Sequence, residues 1–575
     1  MGGKEVLIKS VLQSIPVYAM HCFLLPTTLC RAMEQAMSKF WWRNNGTKKG
    51  IHWCTWSRLK FAKHCGGLGF RDLAQFNVAL LAKQGWRLLT CPNSLLARVT
   101  KAKYYPRGEF LNAGLGSNPS YIWRSIWSAR GLIEKGIGWR IGTGQNVNIW
   151  NEAWIPGDGD GRIRNQAINI NYTLVSDLID DSTKTWKLNV LNDLFDEGLV
   201  NKICTIPLSK LGMHDELIWR HDASGSYTVK SGYRLLHEDV PMVIGLNSST
   251  IPLTLSKFYS EMWAVNLPPK VKITMWKVIN NFLPTLANLQ TRRLNVINSC
   301  VFCHAASESV VHIMRDCWFV GRVLEMQGVQ FPSSFVDVDW KEWLALTFCS
   351  LSAKHRVVLM VSYWATWYAR NKMIHEGVVP SVYGTLSFVE AFIRENDAVN
   401  THVCSRNRVV SVSWQAPMEN VIKLNFDASF DVHSNESFSG VICRDNAGFI
   451  MAACTTPHSH VADAFLAEAL SCLQAVKFAR DLGFSRVIVE GDSLTVIKKV
   501  CSKMADVSLI SPVIFDIREV AKGFADIAFC FTHREANSAA HTLAREGKLF
   551  NCPMFWIEEA PPNATLAVEC DREKL

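Results

Sequence analysis

The 575-residue sequence contains no apolar run of the roughly 18 to 20 residues that a bilayer-spanning helix needs. Its start, MGGKEVLIKS, is polar and has no signal-peptide apolar core, so secretion by that route is not expected. N-myristoylation is not expected either, because Val6 stands where Ser or Thr is required. There is no internal repeat and no long low-complexity tract. Acidic residues are scarce at the beginning: residues 1–150 hold 5 Asp/Glu against 21 Lys/Arg, a surplus of +16, so the remainder of the +10 chain sums to −6. Cysteine pairing is scarce as well. The 18 cysteines are scattered apart from one close pair, which predicts reduced thiols, one metal site, and a nuclear or cytoplasmic chain with no targeting signal to choose between those places.

What is present describes a folded, multidomain protein, with 48% hydrophobic and 19% charged residues. A chain of this length divides into about two to four domains. Residues 1–155 read as helices punctuated by glycine, with Asp72 placed to cap the one that follows it. The first 150 residues also hold 9 of the 21 tryptophans. A basic, aromatic block can neutralise phosphates and stack on bases; the plainer reading is solvated Lys and Arg around tryptophan cores. GIGWRIGTGQNVNIWNEAWIP predicts a hairpin or two short strands. Its GTGQNV is no dinucleotide fingerprint, because Val147 occupies the third glycine position. Residues 156–225 form a polar connector without an assignable role, and 226–330 contain the cysteine cluster. Residues 331–415 are helical in pattern and end in a linker, ENDAVNTHVCSRNR. A last domain spans 416–550, and 551–575 read as a peripheral tail.

CVFCHAASESVVHIMRDC places Cys300, Cys303, His312 and Cys317 in a C-x2-C-x8-H-x4-C pattern. Two thiolates from one turn, with a histidine and a third thiolate, suit a closed tetrahedral Zn²⁺ site of structural type. His304 is a spare whose adjacency to Cys303 makes joint ligation awkward.

Three carboxylates follow in a telling order. VIKLNFDASF alternates, which puts Asp427 at the end of a buried strand. FSGVICRDNAGFIMAACT reads as a hairpin turning at Asp445–Gly448. In the next helix Glu468 lies beside the apolar face of Leu466, Ala469, Leu470, Leu473 and Val476, and Gly483 stops it. RVIVEGDS is a strand that delivers Asp492. The order βββ-αβ-α-β-α sets acids at two strand ends and on one helix. Each alone has an ordinary explanation as a turn former or surface acid. Together they suit two divalent ions bridging a phosphodiester, with Mg²⁺ or Mn²⁺ as the oxygen-loving cation.

KLNFDAS, LAEALSCLQAV, VIVEGDS and HREANSAAHTLAR resemble the ribonuclease H-like domain of plant LINE-type (non-LTR) retroelement proteins. PPKVKITMWKVINNFLPTLANLQTRR and the cysteine cluster resemble the zinc-binding domain that accompanies reverse transcriptase there, and much of 1–155 resembles the segment after the polymerase core. The resemblance implies a fold of helical N-terminal and zinc-binding segments followed by an α/β domain, a mixed five-stranded sheet flanked by helices. It implies hydrolysis of RNA in RNA–DNA hybrids, and a zinc module aiding nucleic-acid binding. Asp427, Glu468 and Asp492 match the family's first three metal-binding acids. His533 matches the histidine ahead of the last helix that helps proton transfer or product release, and His541 falls on the fourth metal position, usually aspartate. A histidine there also occurs in the plant branch. Imidazole suits Mn²⁺ or Zn²⁺ better than Mg²⁺, so weakened activity is expected.

A polymerase is not expected. Its aspartate pair belongs on a hairpin in a Tyr/Phe-x-Asp-Asp context, and the single Asp-Asp, Asp180-Asp181 in LIDDSTK, shows no such hairpin. No endonuclease domain precedes it, so the sequence resembles the back half of the element's polyprotein begun at an internal Met. The expected partners are RNA–DNA hybrid, with single-stranded RNA or DNA as further candidates, and neither a membrane nor a small-molecule cofactor. The competing expectation is a catalytically inactive, nucleic-acid-binding retroelement remnant.

Overall fold

The computed structural model describes residues 2–43, 50–157, 159–164, 168–238, 252–331, 338–404 and 413–574. The chain divides into two compact units, each made of two separated stretches: Met1–Arg130 with Tyr233–Arg408, and Gly131–Gly232 with Val409–Leu575. These units cut across the boundaries expected at 155 and 225. No described helix is long and apolar enough to cross a membrane, and the cysteines described are free thiols.

The first unit is helical. Helix α1 (Thr27–Trp42) buries Cys30, Met37, Trp41 and Trp42. Helix α2 (Leu73–Thr90) starts where Asp72 accepts a hydrogen bond from the Gln75 amide, the cap read from the sequence. Helix α3 (Ala353–Glu376) is capped by Ser352 and stops at Gly377, whose φ of 69° suits a residue without a Cβ. Helix α4 is Val382–Cys404. The expected linker is therefore helical through Cys404, because Phe392, Val399 and their neighbours sustain the helical pattern; its last four residues lie outside the described residues. Below α3 a buried ion pair, Arg370 to Glu308 at 2.6 Å, reaches into the cysteine-rich segment. Glu308 also accepts from the Leu286 amide, so the charge is fully engaged.

The second unit begins at Gly131 and takes in the 156–225 connector. Strand β1 (Ile137–Arg140) pairs antiparallel with β2 (Glu216–Trp219), not with a neighbour in a hairpin. The GTGQN loop closes on an internal anion: the Gly142 and Gly144 amides donate to Asp215 Oδ1 at 2.7 and 2.8 Å, and Asn146 donates to Oδ2. Asp180-Asp181 sits at a short hairpin, Ile179–Asp180 against Thr185–Trp186, without the Tyr/Phe-x-Asp-Asp context of a polymerase. It is a turn device, since Asp180 accepts from the Ser182 and Thr183 amides while Asp181 pairs with Lys184. Ile141, Val147, Trp154, Val175 and Leu191 form this region's own core.

The rest of the unit is a six-stranded sheet, one strand more than expected. Its strands are β3 (Ile422–Asp431), β4 (Glu436–Arg444), β5 (Ile450–His458), β6 (Arg486–Gly491), β7 (Asp526–Phe531) and β8 (Met554–Ile557). The order is β8-β5-β4-β3-β6-β7, with β3–β6 and β6–β7 parallel and the other pairs antiparallel. Helix α5 (Ala464–Asp481) precedes β6; two helices, α6 (Leu494–Cys501) and α7 (Ser511–Ala521), separate β6 from β7, where one was expected. Helices α8 (Ser538–Glu546) and α9 (Pro562–Arg572) follow. Leu424 and Phe426 join α5 and α7 in the main core, and Ile442 and Ala453 join α8 and α9 in a smaller one.

The tail is thus part of the fold. Strand β8 pairs with β5, Ala564 and Val568 are buried, and Asp571 forms a buried ion pair with Arg444 at 2.9 Å. The region before β2 also attaches to the sheet domain. Ser209 Oγ donates to Asp516 Oδ1 of α7 at 2.6 Å, the Lys210 amide donates to Oδ2 at 3.0 Å, and Arg140 hydrogen-bonds the Ser511 hydroxyl. Asp516, Ser209 and Arg140 are each 3% exposed, so these bonds form away from water.

Candidate functional site

Strand β3 carries Asp427 within its length, four residues before its end, and not at the terminus as expected. Opposite it on β4 stands Gly440, where a Cβ would meet the Ala544 amide nitrogen at 2.4 Å and the Ala540 oxygen at 2.5 Å. That glycine lets α8 lie directly on the sheet. The close approach brings His541 within reach of Asp427. Asp492 follows β6, and Glu468 comes from α5, whose Ser471 hydroxyl donates to the Asp427 carbonyl at 2.7 Å.

Carboxylate oxygens of Asp427, Glu468 and Asp492 all lie within 4.8 Å of one another. Asp427 is 3% exposed, and Glu468 Oε2 is buried with no hydrogen-bond partner. Burial pushes the Asp427 carboxyl up to about 6; Asp492 adds to that rise and the His541 hydrogen bond opposes it. Burial, then the charges of Asp427 and Asp492, push Glu468 up to about 9. A buried acid with an idle oxygen beside two others lacks a counter-charge, and a hard divalent cation supplies one. The residues fit such an ion.

His541 does not join this group of three. Its Nδ1 lies 2.6 Å from Asp427 Oδ2, and its Nε2 lies 3.0 Å from the Arg534 guanidinium. A guanidinium only donates, so Nε2 accepts and the proton sits on Nδ1, which donates to Asp427. Both ring nitrogens are therefore engaged. His533, exposed ahead of the last helical stretch, has its ring against Phe531 with centroids 5.3 Å apart.

Behind the carboxylates runs a buried polar layer. Asn425 Oδ1 accepts from Trp414 Nε1 and from Arg444, and its amide group donates to Glu490 and Asn537. Asn537 in turn donates to the Phe426 carbonyl at 2.9 Å, which steadies the strand one residue before Asp427. Lys423 bonds Glu490 at 2.7 Å. Arg534, Asn537 and Asn425 were not singled out from the sequence. The strand alternation that turned Lys423, Asn425 and Asp427 to one side was the available signal for Asn425.

The second cluster is in the helical unit. Cys300, Cys303, His312 and Cys317 present ligand atoms within 4.8 Å of one another. Cys300 Sγ is 3.9 Å from Cys317 Sγ, and Cys303 Sγ is 3.3 Å from His312 Nε2. His304 lies outside the cluster, at a φ of 55° that turns the chain after the C-x2-C pair. The Cys317 hydrogen bond pulls the Cys300 thiol down to about 4, against burial, and the same bond pushes Cys317 up. The set of three sulfurs and one imidazole, with Cys300 and Cys317 buried, fits a closed zinc site.

These two centres, on an antiparallel-then-parallel sheet and on a helical scaffold, define a ribonuclease H-like domain joined to a reverse-transcriptase zinc-binding region. Residues 425–547 match the reverse transcriptase-like family model and residues 227–323 the model for zinc-binding in reverse transcriptase. A protein of Arabidopsis thaliana named for ribonuclease H is 26% identical over 578 residues, covering 94% of this chain and 88% of its own length. An uncharacterised mitochondrial protein of the same plant is 43% identical over 143 residues, 25% of this chain and 93% of that one. The chain belongs to the same family as that mitochondrial protein. Among solved structures, ribonuclease H1 of Halobacterium salinarum is 24% identical over 22% of this chain and 97% of its own, with a TM-score of 0.21. LC11 ribonuclease H1 in complex with RNA/DNA hybrid is 17% identical over 22% and 94%, with a TM-score of 0.20.

Proposed function

We propose that the protein is a nucleic-acid-binding ribonuclease H-type hydrolase of LINE-type retroelement descent, acting in the nucleus or cytoplasm. It cleaves the RNA strand of RNA–DNA hybrids slowly, with Mg²⁺ or Mn²⁺. Asp427, Glu468 and Asp492 hold the cation; when bound, it activates a water and stabilises the leaving oxyanion. His533, exposed beside the site, serves proton transfer or product release. Cys300, Cys303, His312 and Cys317 hold Zn²⁺ as a structural centre for a nucleic-acid-binding module.

The observation that carries the reading is the buried three-carboxylate cluster with an idle Glu468 oxygen. The observation that supports slowness is the His541 hydrogen bond to Asp427 Oδ2. In this arrangement His541 offers no lone pair to the carboxylate cluster, and it engages an Asp427 oxygen that would otherwise be free to help hold a cation. Arg534 holds the ring in that position.

The test is cleavage of a labelled RNA–DNA hybrid in Mg²⁺ and then Mn²⁺ by the wild type, Asp427→Asn and His541→Asp. Cleavage that Asp427→Asn abolishes and His541→Asp raises by about one to three orders of magnitude supports the proposal, a barrier change of roughly 1.4–4 kcal/mol. Binding without cleavage in every variant would leave the alternative, an inactive nucleic-acid-binding remnant, which the engaged state of Asp427 also favours.

A further inference from the structure

A cleft of about 860 Å³ opens in the helical unit, walled by α1, by residues 52–60 and by Arg292. It contains none of the zinc ligands and none of the site carboxylates. Its volume lies toward the upper end of the roughly 300–1,000 Å³ typical of ligand sites.

The floor of the cleft is chemically closed. Lys60 Nζ bonds Glu34 at 3.0 Å and Asp72 at 2.6 Å. Glu34 also accepts from the Leu73 amide and Asp72 from the Gln75 amide, each at 3.0 Å. Both carboxylates are thus committed to one ammonium and to the start of α2, and they leave the rim to set the cleft's affinity.

The rim is cationic and aromatic. Arg31 and Lys39 are exposed along α1, about 12 Å apart by helical rise. Neither has an ion pair among the described residues. Across from them Arg292, also exposed, has its guanidinium 5.6 Å from the centre of the half-buried Trp53 ring. A half-buried aromatic ring with a guanidinium beside it offers an unpaired base a surface to stack on and its phosphate a cation. A duplex keeps its bases inside the stack and would leave that surface unused. The unit around the cleft holds 36 Lys/Arg against 17 Asp/Glu, which favours a polyanion over a peptide.

We propose that this cleft binds a single-stranded stretch of nucleic acid, with Arg31, Lys39 and Arg292 on its phosphates and Trp53 stacked on one base. The proposal rests on the nucleic-acid reading above and gives it a place and a strand form.

The experiment uses the full chain and a short labelled oligothymidylate, with affinity measured against salt, and RNA–DNA hybrid in parallel. Replacing Arg31, Lys39 and Arg292 together by Gln is expected to weaken single-strand binding at least tenfold and flatten the salt slope by about two, given ~0.7 per phosphate contact. Trp53→Ala is expected to weaken it about 5- to 100-fold with the slope unchanged, and Trp53→Phe to restore most of the loss. Far-UV circular dichroism checks that each variant folds; the exposed rim changes are not expected to unfold it. A wild type that binds single strands no better than the triple variant, at the same slope, would overturn the cleft assignment and leave the hydrolase reading standing. A wild type that binds neither oligothymidylate nor hybrid would overturn both.

Discussion

At the scale of the residue, the site's character comes from acids kept out of water. Glu468 and Asp427 have raised pKa values, so between its unfolded and folded pKa each holds a proton in the metal-free fold that it sheds when unfolded. Stability from such a group is full below the unfolded pKa and is lost as pH rises through the folded one. In the presence of a chelator, thermal stability of the sheet-containing unit is therefore expected to fall from about pH 4 toward about pH 9. Adding Mg²⁺ or Mn²⁺ should flatten that fall, because the cation binds only the ionised, folded cluster. A melting temperature that is level across this range without metal would show that the acids are not coupled as the geometry implies. Arg534→Ala supplies a second test. With Nε2 released, the His541 ring can turn toward the cluster, so activity in Mn²⁺ should rise relative to Mg²⁺. The three acids were legible in the sequence because strand alternation and a helix face fix where a side chain points. The engagement of His541 was not, since it depends on a guanidinium seven residues away that caps the far side of the ring.

Elements show where local patterns stop being informative. The hairpin of β4 and β5 and the helices α2, α3 and α5 follow directly from periodicity and capping residues. Strand β8 has only four residues, MFWI, and is followed by consecutive prolines, so nothing local marks it as belonging to a sheet. Its register is set by β5, and the Asp571–Arg444 pair that secures α9 spans 127 residues of sequence. Asp571→Ala is expected to cost roughly 3–5 kcal/mol, because it leaves a buried guanidinium without its carboxylate. Chemical denaturation monitored by far-UV circular dichroism measures this; a loss below about 1 kcal/mol would mean that Arg444 finds another partner. Gly440→Ala is expected to impair folding of the same unit, since the added carbon would fall on the α8 backbone. In the helical unit, the C-x2-C-x8-H-x4-C spacing was legible because ligand geometry constrains sequence spacing tightly. Zinc analysis should return one ion per chain, and Cys300→Ser should abolish it while lowering the melting temperature.

Over the whole molecule, charge is divided as the chain is. The helical unit carries 36 Lys/Arg against 17 Asp/Glu, the sheet-containing unit 25 against 34. Under the proposed function, with the site carboxylates in the acidic unit, the hold on a polyanionic substrate would depend on cations elsewhere. Hybrid affinity of the full chain is therefore expected to drop steeply with salt, by about tenfold or more between 50 and 200 mM, if several phosphates are contacted. A nearly flat salt dependence would place the hold in uncharged contacts instead. The early basic surplus was visible in the sequence. The partnership of 131–232 with the sheet domain was not, because Ser209 meets Asp516 across 307 residues and neither has a local signature.

That interleaving has a consequence for synthesis. Residues 131–232 leave the ribosome well before 409–575, the stretch they fold with. At ~5–20 residues per second, translating the intervening 233–408 takes roughly 9–35 s. Through that interval the Asp516-facing surface around Ser209 and Arg140 has no sheet domain to meet, which makes the nascent chain a natural client for chaperones. Slowing translation within 233–408 by rare codons should lower the soluble yield without changing a single amino acid.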